Sequence, residues 1–90
     1  MNKAEIESLV IEVVQEVVSP IGEKMSVSLD DNFRDDLGGD SLDMVQVVMK
    51  LEKKLEISVT DEECECLTAS ETKIGDIADF IEKRYSQKNE

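Results

Sequence analysis

Ser41 is the residue around which reactive chemistry can be organised. It lies in "DDLGGDSLD", residues 35–43, behind two glycines and an aspartate, with acids on both sides and an apolar run after it. Three kinds of chemistry are open to a serine so placed. It can be a nucleophile, it can cap a helix, or it can be the point to which another group is attached. The other nucleophiles of note are Cys64 and Cys66. Two residues apart on a helix, they point to different sides and make a poor disulfide pair. The chain has no histidine and no further cysteine, so C-x-C is a very weak metal signal. Reduced thiols, one of them buried, are expected, and no metal site is.

The nucleophile reading has a lexical attraction, because Gly39-Asp40-Ser41-Leu42 spells the GDSL signature of a family of serine esterases. A serine hydroxyl needs a base to attack, usually a histidine. Lysine replaces it in some enzymes, but Lys50, Lys53 and Lys54 lie at least two turns further along the same helix, on its polar side. Hydrolase folds also place the serine after a strand, in a chain about twice this long. A self-contained hydrolase is rejected, and no catalytic residue is assigned.

The capping reading gives Ser41 little to do, since Asp40 is the better-placed N-cap, with Asp43 three residues on. That leaves Ser41 in the first turn with its hydroxyl free to point outward. The first turn of a helix carries unpaired N–H groups and the positive end of the dipole. A phosphate ester on Ser41 sits where an anion is favoured. Gly38 and Gly39 are expected to let a second protein's backbone approach, and the surrounding acids to attract a basic enzyme.

The elements that must hold this site read as helices. Ile6, Leu9, Val10, Val13 and Val17 recur at helical spacing, behind a capping-box start at Asn2 and Glu5. Ser19, Pro20 and Gly22 end that helix. A long connection runs from about Ser19 to Gly39, pinned by Val27, Leu29, Phe33 and Leu37; loops of that length are uncommon and often functional. Its acids fail the calcium-loop template, because Asp35 stands where the turn glycine belongs. The second helix runs from about Ser41 to Leu55. Met44, Val47, Val48, Leu51 and Leu55 form its core stripe. Leu42, Val45 and Met49 form another, roughly 130° round the wheel, and are read as an exposed patch for partners. Thr60 and Glu63 bracket the start of a short third helix, with Val59 and Cys64 as its hydrophobic staple and Cys64 and Leu67 facing inward. The last helix begins near Thr72, with Ile74, Ile77, Ala78, Ile81 and Tyr85 inward. The expected fold is all-α, four helices with a long loop between the first two and a short third, in one domain over residues 1–90. The ordered core is expected at about 3–85, with a frayed polar tail over 86–90.

Composition narrows the partners. Ten basic residues face 22 acidic ones, for a net charge of −12. Such a chain is repelled by nucleic-acid phosphates and anionic membranes and drawn to basic protein surfaces. No segment approaches the ~18 continuous apolar residues of a membrane span, and the acids in "MNKAEIESLV" argue against a signal peptide. A cytoplasmic protein is expected.

With these elements in place, "DDLGGDSLDMVQVVMKLEKKLEISVTDEE" closely resembles the acyl carrier proteins. Asp36-Leu37-Gly38-Gly39-Asp40-Ser41-Leu42 matches their hallmark stretch, and Leu51-Glu52 matches the end of the Val-rich helix that follows it. Ile74-Gly75-Asp76-Ile77-Ala78-Asp79-Phe80-Ile81 resembles the family's last helix, and the likeness extends from about Glu5 to Tyr85. The resemblance implies an acyl-carrier bundle that catalyses nothing. Ser41 would bear a covalent 4′-phosphopantetheine arm, transferred from coenzyme A by a phosphopantetheinyl transferase. The arm would hold acyl groups as thioesters for ketoacyl synthase, acyl transferases and other enzymes of fatty acid or polyketide biosynthesis. Partner docking would fall to Asp36, Asp40, Leu42, Asp43, Val45, Met49, Glu52, Asp61, Glu62 and Glu63. A monomer is expected.

Departures from the pattern bear on the pathway. Gln46, Lys53 and Lys54 stand where family members are often acidic, the 67–74 segment is a few residues longer, and Val59-Thr60 replaces the usual Ile-Pro. A specialised aminoacyl, peptidyl or unusual-lipid carrier is an open alternative. An unmodified acidic helical adaptor is the alternative from another class.

Overall fold

In the computed structural model the described residues are 2–19, 26–69 and 71–88, with the side chain of Lys88 left out. Four helices follow in order: α1 (Lys3–Val18), α2 (Ser41–Leu55), α3 (Asp61–Leu67) and α4 (Ile74–Lys88). α1 packs against both α2 and α4, and α3 packs on α2. The expected all-α architecture is therefore the observed one.

Each of the first three helices starts where its side chains predict. Asn2 accepts from the Glu5 N–H at 2.9 Å while Glu5 reaches back to the Asn2 N–H at 3.3 Å, closing the capping box of α1. Thr60 and Glu63 do the same for α3, at 3.1 and 3.0 Å. α2 ends at a left-handed Glu56 with φ 54°. Ile57 then turns back to be buried, its N–H on the Glu52 carbonyl at 3.2 Å.

The core is aliphatic apart from Phe33. Ile6, Val10, Val13, Val14, Met44, Val47, Leu51, Ile74, Ile77 and Ile81 are fully or almost fully buried. Side chains of this kind contribute about 1.5–3 kcal/mol each when taken out of water. Two details differ from the sequence reading of α1. Val14 is buried while Leu9 and Val17 are only half-buried. Packing against two neighbouring helices widens the arc toward Val14, and Val17 lies at the helix end where less covers it.

α4 starts at Ile74, two residues after Thr72, and runs to Lys88. Thr72 is held back because its carbonyl accepts the Phe33 N–H at 3.1 Å, and the Lys73 N–H is taken by the Asp76 carboxylate at 3.0 Å. Among the described residues no helix is long and apolar enough to cross a membrane. Of the expected helix-ending signals of α1, Ser19 is the C-cap, whereas Pro20 and Gly22 lie outside the described residues, as do Asn89 and Glu90 of the tail.

Over its described residues 26–39, the long connection is built into the molecule. Phe33 and Leu37 are buried and Val27 and Leu29 pack against the core, as their spacing predicted. Backbone bonds from Ile74 N–H to Asp31 O (3.0 Å) and from Gly75 N–H to Leu29 O (2.9 Å) clip the loop to the start of α4. A Cβ at position 75 would meet the Leu29 carbonyl at 3.2 Å, so glycine permits this approach.

Candidate functional site

Residues 32–40 form the platform from which α2 starts. The Asn32 side chain accepts the Arg34 and Asp35 N–H groups, both at 2.9 Å, and Asp36 accepts the Asn32 N–H at 2.6 Å. This turn closes at Gly38, in the left-handed region at φ +70°, so that the Gly39 N–H bonds the Phe33 carbonyl at 2.9 Å. A Cβ on Gly39 would lie 2.4 Å from the Phe33 ring. The expectation that both glycines clear space for an incoming protein therefore needs correction. Gly39 is buried against the molecule's own aromatic ring, and only Gly38 has open space in front of it.

Asp40 then caps α2. Its side chain accepts the Asp43 N–H at 2.9 Å, and Asp43 accepts the Asp40 N–H at 3.2 Å. Both carboxylates lie at the positive end of the helix dipole. Ser41 is the first residue of α2, exposed, and takes no part in the capping box. The serine is thus an exposed residue on a capped helix start.

Beside it a cleft of about 280 Å³ opens between α2 and α3, lined by Ser41, Val45, Asp61, Cys64, Glu65 and Thr68. Ser41, Val45 and Asp61 were candidates from the sequence. Cys64, Glu65 and Thr68 were not. Their placement depends on how α3 lies on α2, which no local pattern announces. Both cysteines are free, Cys66 exposed and Cys64 half-buried. Burial, and then the charges of Asp61, Glu52 and Glu65, push the Cys64 thiol up. It is a protonated wall of the cleft at neutral pH rather than an activated nucleophile.

The apolar patch is where the wheel put it. Leu42, Val45 and Met49 are 66, 41 and 61% exposed, while the opposite stripe of Met44, Val47, Val48, Leu51 and Leu55 is buried. The acids divide into two groups. Asp61 and Glu62 stand exposed on α3, and Asp36 is exposed on the loop although its carboxylate is engaged. Glu52 is half-buried and holds the Val59 N–H at 3.0 Å. Glu63 is held by the Thr60 N–H and by the Arg84 guanidinium. These two carboxylates are engaged within the molecule; the Thr60–Glu63 capping box was legible in the sequence, whereas the reach of Arg84 to Glu63 and of Glu52 to Val59 was not. The Thr60 N–H above all, and Arg84 next, hold the Glu63 carboxyl below the usual carboxylate range.

Comparison with known proteins agrees with this geometry. The family described as "Phosphopantetheine attachment site" matches residues 8–81. The acyl carrier protein of Exiguobacterium sibiricum is 36% identical over 77 residues, 84% of this chain and 92% of that protein. That of another Exiguobacterium strain is 34% identical over 79 residues, 87% of this chain and 95% of its own. The acyl carrier protein of Prochlorococcus marinus is 40% identical over 78 residues, 81% of this chain and 92% of its own. A family match across nearly all of the bundle, joined by whole-length relatives at these identities, places the chain among the acyl carrier proteins, carriers rather than enzymes, whose cofactor is 4′-phosphopantetheine.

Proposed function

We propose that Ser41 is the residue that carries the 4′-phosphopantetheine arm, and that the domain shuttles acyl thioesters among biosynthetic enzymes in the cytoplasm. One observation carries the assignment. Ser41 is exposed on the first turn of α2 while Asp40 and Asp43 satisfy the cap, so its hydroxyl is free for substitution. Attachment forms a bond from Ser41 Oγ to the phosphorus next to the pantetheine and breaks the pyrophosphate of coenzyme A, with the nucleotide leaving. On Ser41 a phosphodiester would sit beside the N–H groups that a helix start leaves unpaired, where an anion is favoured.

The docking face in this reading is the stripe Leu42, Val45 and Met49 with the acids around it. Asp36, Asp40, Asp43, Asp61 and Glu62 supply charge to basic-surfaced partners. These would be a phosphopantetheinyl transferase first, then a ketoacyl synthase and acyl transferases. Glu52 and Glu63 act on this face through the fold, as supports of α3.

Incubating the purified chain with coenzyme A and a broad-specificity phosphopantetheinyl transferase, then measuring intact mass, tests the assignment. One added phosphopantetheine on the native chain and none on Ser41→Ala is expected. Equal labelling of the two, or none on either, refutes it. The lysines at positions 53 and 54, exposed at the far end of α2, leave a specialised pathway as the second reading. The mass of the acyl group on the arm, when the protein is taken from its own cell, decides between them.

A further inference from the structure

α3 is the least anchored element of the bundle. It is seven residues long, buries only Leu67 fully, and packs on α2. Yet it supplies Asp61, Cys64 and Glu65 to the cleft beside Ser41. A capping box and a hydrophobic staple start this helix, but by themselves they do not fix where so short a helix lies on its neighbours.

The structure supplies a further hold in Arg84, on α4. Its guanidinium donates to the Ser58 carbonyl at 2.8 Å and to the Glu63 carboxylate. Its charged carbon lies 5.5 Å from the centre of the Phe80 ring, one turn back on α4. Glu63 in turn holds the Thr60 N–H, the cap of α3. One planar fork therefore grips the chain just before α3 and the third residue of α3 together, from a helix against which α3 does not pack extensively. The guanidinium and the carboxylate are 29 and 27% exposed, so water screens the pair only in part. By contrast Lys3–Asp79, the pair between α1 and α4, is more than half exposed on both sides and touches no part of α3.

We propose that Arg84 is a latch for the wall of the Ser41 cleft: it fixes the first turn of α3, and its release lets α3 swing from α2 while the rest of the bundle stays folded. Arg84 touches neither Ser41 nor the cleft lining, so it is a positioning residue. It acts by deciding how much of the time the space beside the serine is open. This deepens the reading of Ser41 as a tether, but it can be tested on the unmodified chain, so its failure and the failure of that reading are separable.

Cys64 is the internal reporter, half-buried in the wall, and Cys66, exposed on the same helix, is the control. Loss of the Arg84 cation and loss of the Glu63 anion push thiol acidity in opposite directions, so a rate raised in both variants reports movement rather than charge. The experiment alkylates the native chain with iodoacetamide and follows each cysteine by peptide mass. Arg84→Met keeps the apolar stem and loses the fork. It is expected to raise the Cys64 rate relative to Cys66 about three- to fivefold, the effect of losing one partly exposed charge pair. Glu63→Gln raises it too, and the double variant raises it by less than the product of the two single effects, because the Arg84–Glu63 contact is common to both. Arg84→Lys falls between native and Met. Lys3→Met, which breaks a surface pair away from α3, leaves the ratio unchanged.

Amide hydrogen exchange on the same variants guards against global unfolding. Loss of protection confined to α3 supports the latch. Equal loss across α1, α2 and α4 overturns it, as does a Cys64 to Cys66 ratio unchanged in both Arg84→Met and Glu63→Gln.

Discussion

Replacing Gly39 by alanine tests how the start of α2 is held. The new methyl would lie 2.4 Å from Phe33 Cε2, 2.6 Å from Cζ and 2.9 Å from Cδ2. Carbon atoms in contact normally stand about 3.5–4.0 Å apart, so roughly an ångström must be found. The ring has little room to move, because Phe33 is fully buried among the core residues. The backbone cannot easily move either, since the Gly39 N–H is bonded to the Phe33 carbonyl and Asp40 must stay in place to cap α2. Overpacking of this kind costs about 1–3 kcal/mol. Gly38→Ala is the comparison. It meets nothing within 4 Å but must adopt φ +70°, at about 1–2 kcal/mol. In urea, with a slope of about 1 kcal/mol/M for a domain this small, Gly39→Ala lowers the unfolding midpoint by about 1–3 M. It also slows modification of Ser41, because the displaced platform carries the serine's helix with it. Gly38→Ala lowers the midpoint without that second effect, or with less of it. A Gly39→Ala protein as stable as the native chain refutes the account. So does one that is destabilised yet modified at Ser41 at the native rate, which would show that platform and serine are not mechanically joined.

Two further outcomes follow from the caps. Asp40→Ala removes the acceptor for the Asp43 N–H and should lower stability by about 0.5–2 kcal/mol, read as a lower midpoint in urea, while Ser41→Ala should stay within about 0.5 kcal/mol of native. Glu63 is held below the usual carboxylate range, so its contribution is present above the unfolded value of about 4.3 and is lost as pH falls through the lowered folded value. The stability gap between native and Glu63→Gln should thus be widest near neutral pH and close in the acid limb, checked by urea midpoints across that range; a gap independent of pH would contradict it.

Much of this protein was legible in the sequence because its signals are local. Apolar residues at helical spacing located α1, α2 and α4, and the pairs Asn2 with Glu5, Asp40 with Asp43 and Thr60 with Glu63 marked starts that the structure shows closed on themselves. The separation of Met44, Val47 and Leu51 from Leu42, Val45 and Met49 needs only the angle per residue, and the structure buries the first set and exposes the second. The absence of histidine, a fact of composition, removed the nucleophile reading of Ser41 before any fold was known.

What tertiary structure decided is what lies opposite what. Gly39 reads as clearance for a partner's backbone until Phe33 is seen beneath it, and nothing in the sequence pairs Glu52 with Val59 or Glu63 with Arg84. The cleft beside Ser41 is shared by α2 and α3, and the guanidinium that reaches α3 comes from α4, 21 positions beyond Glu63. Periodicity fixes the face that a residue occupies on its own helix. Only packing fixes the neighbour that face meets, because the contact is between segments whose spacing along the chain carries no information about their distance in space.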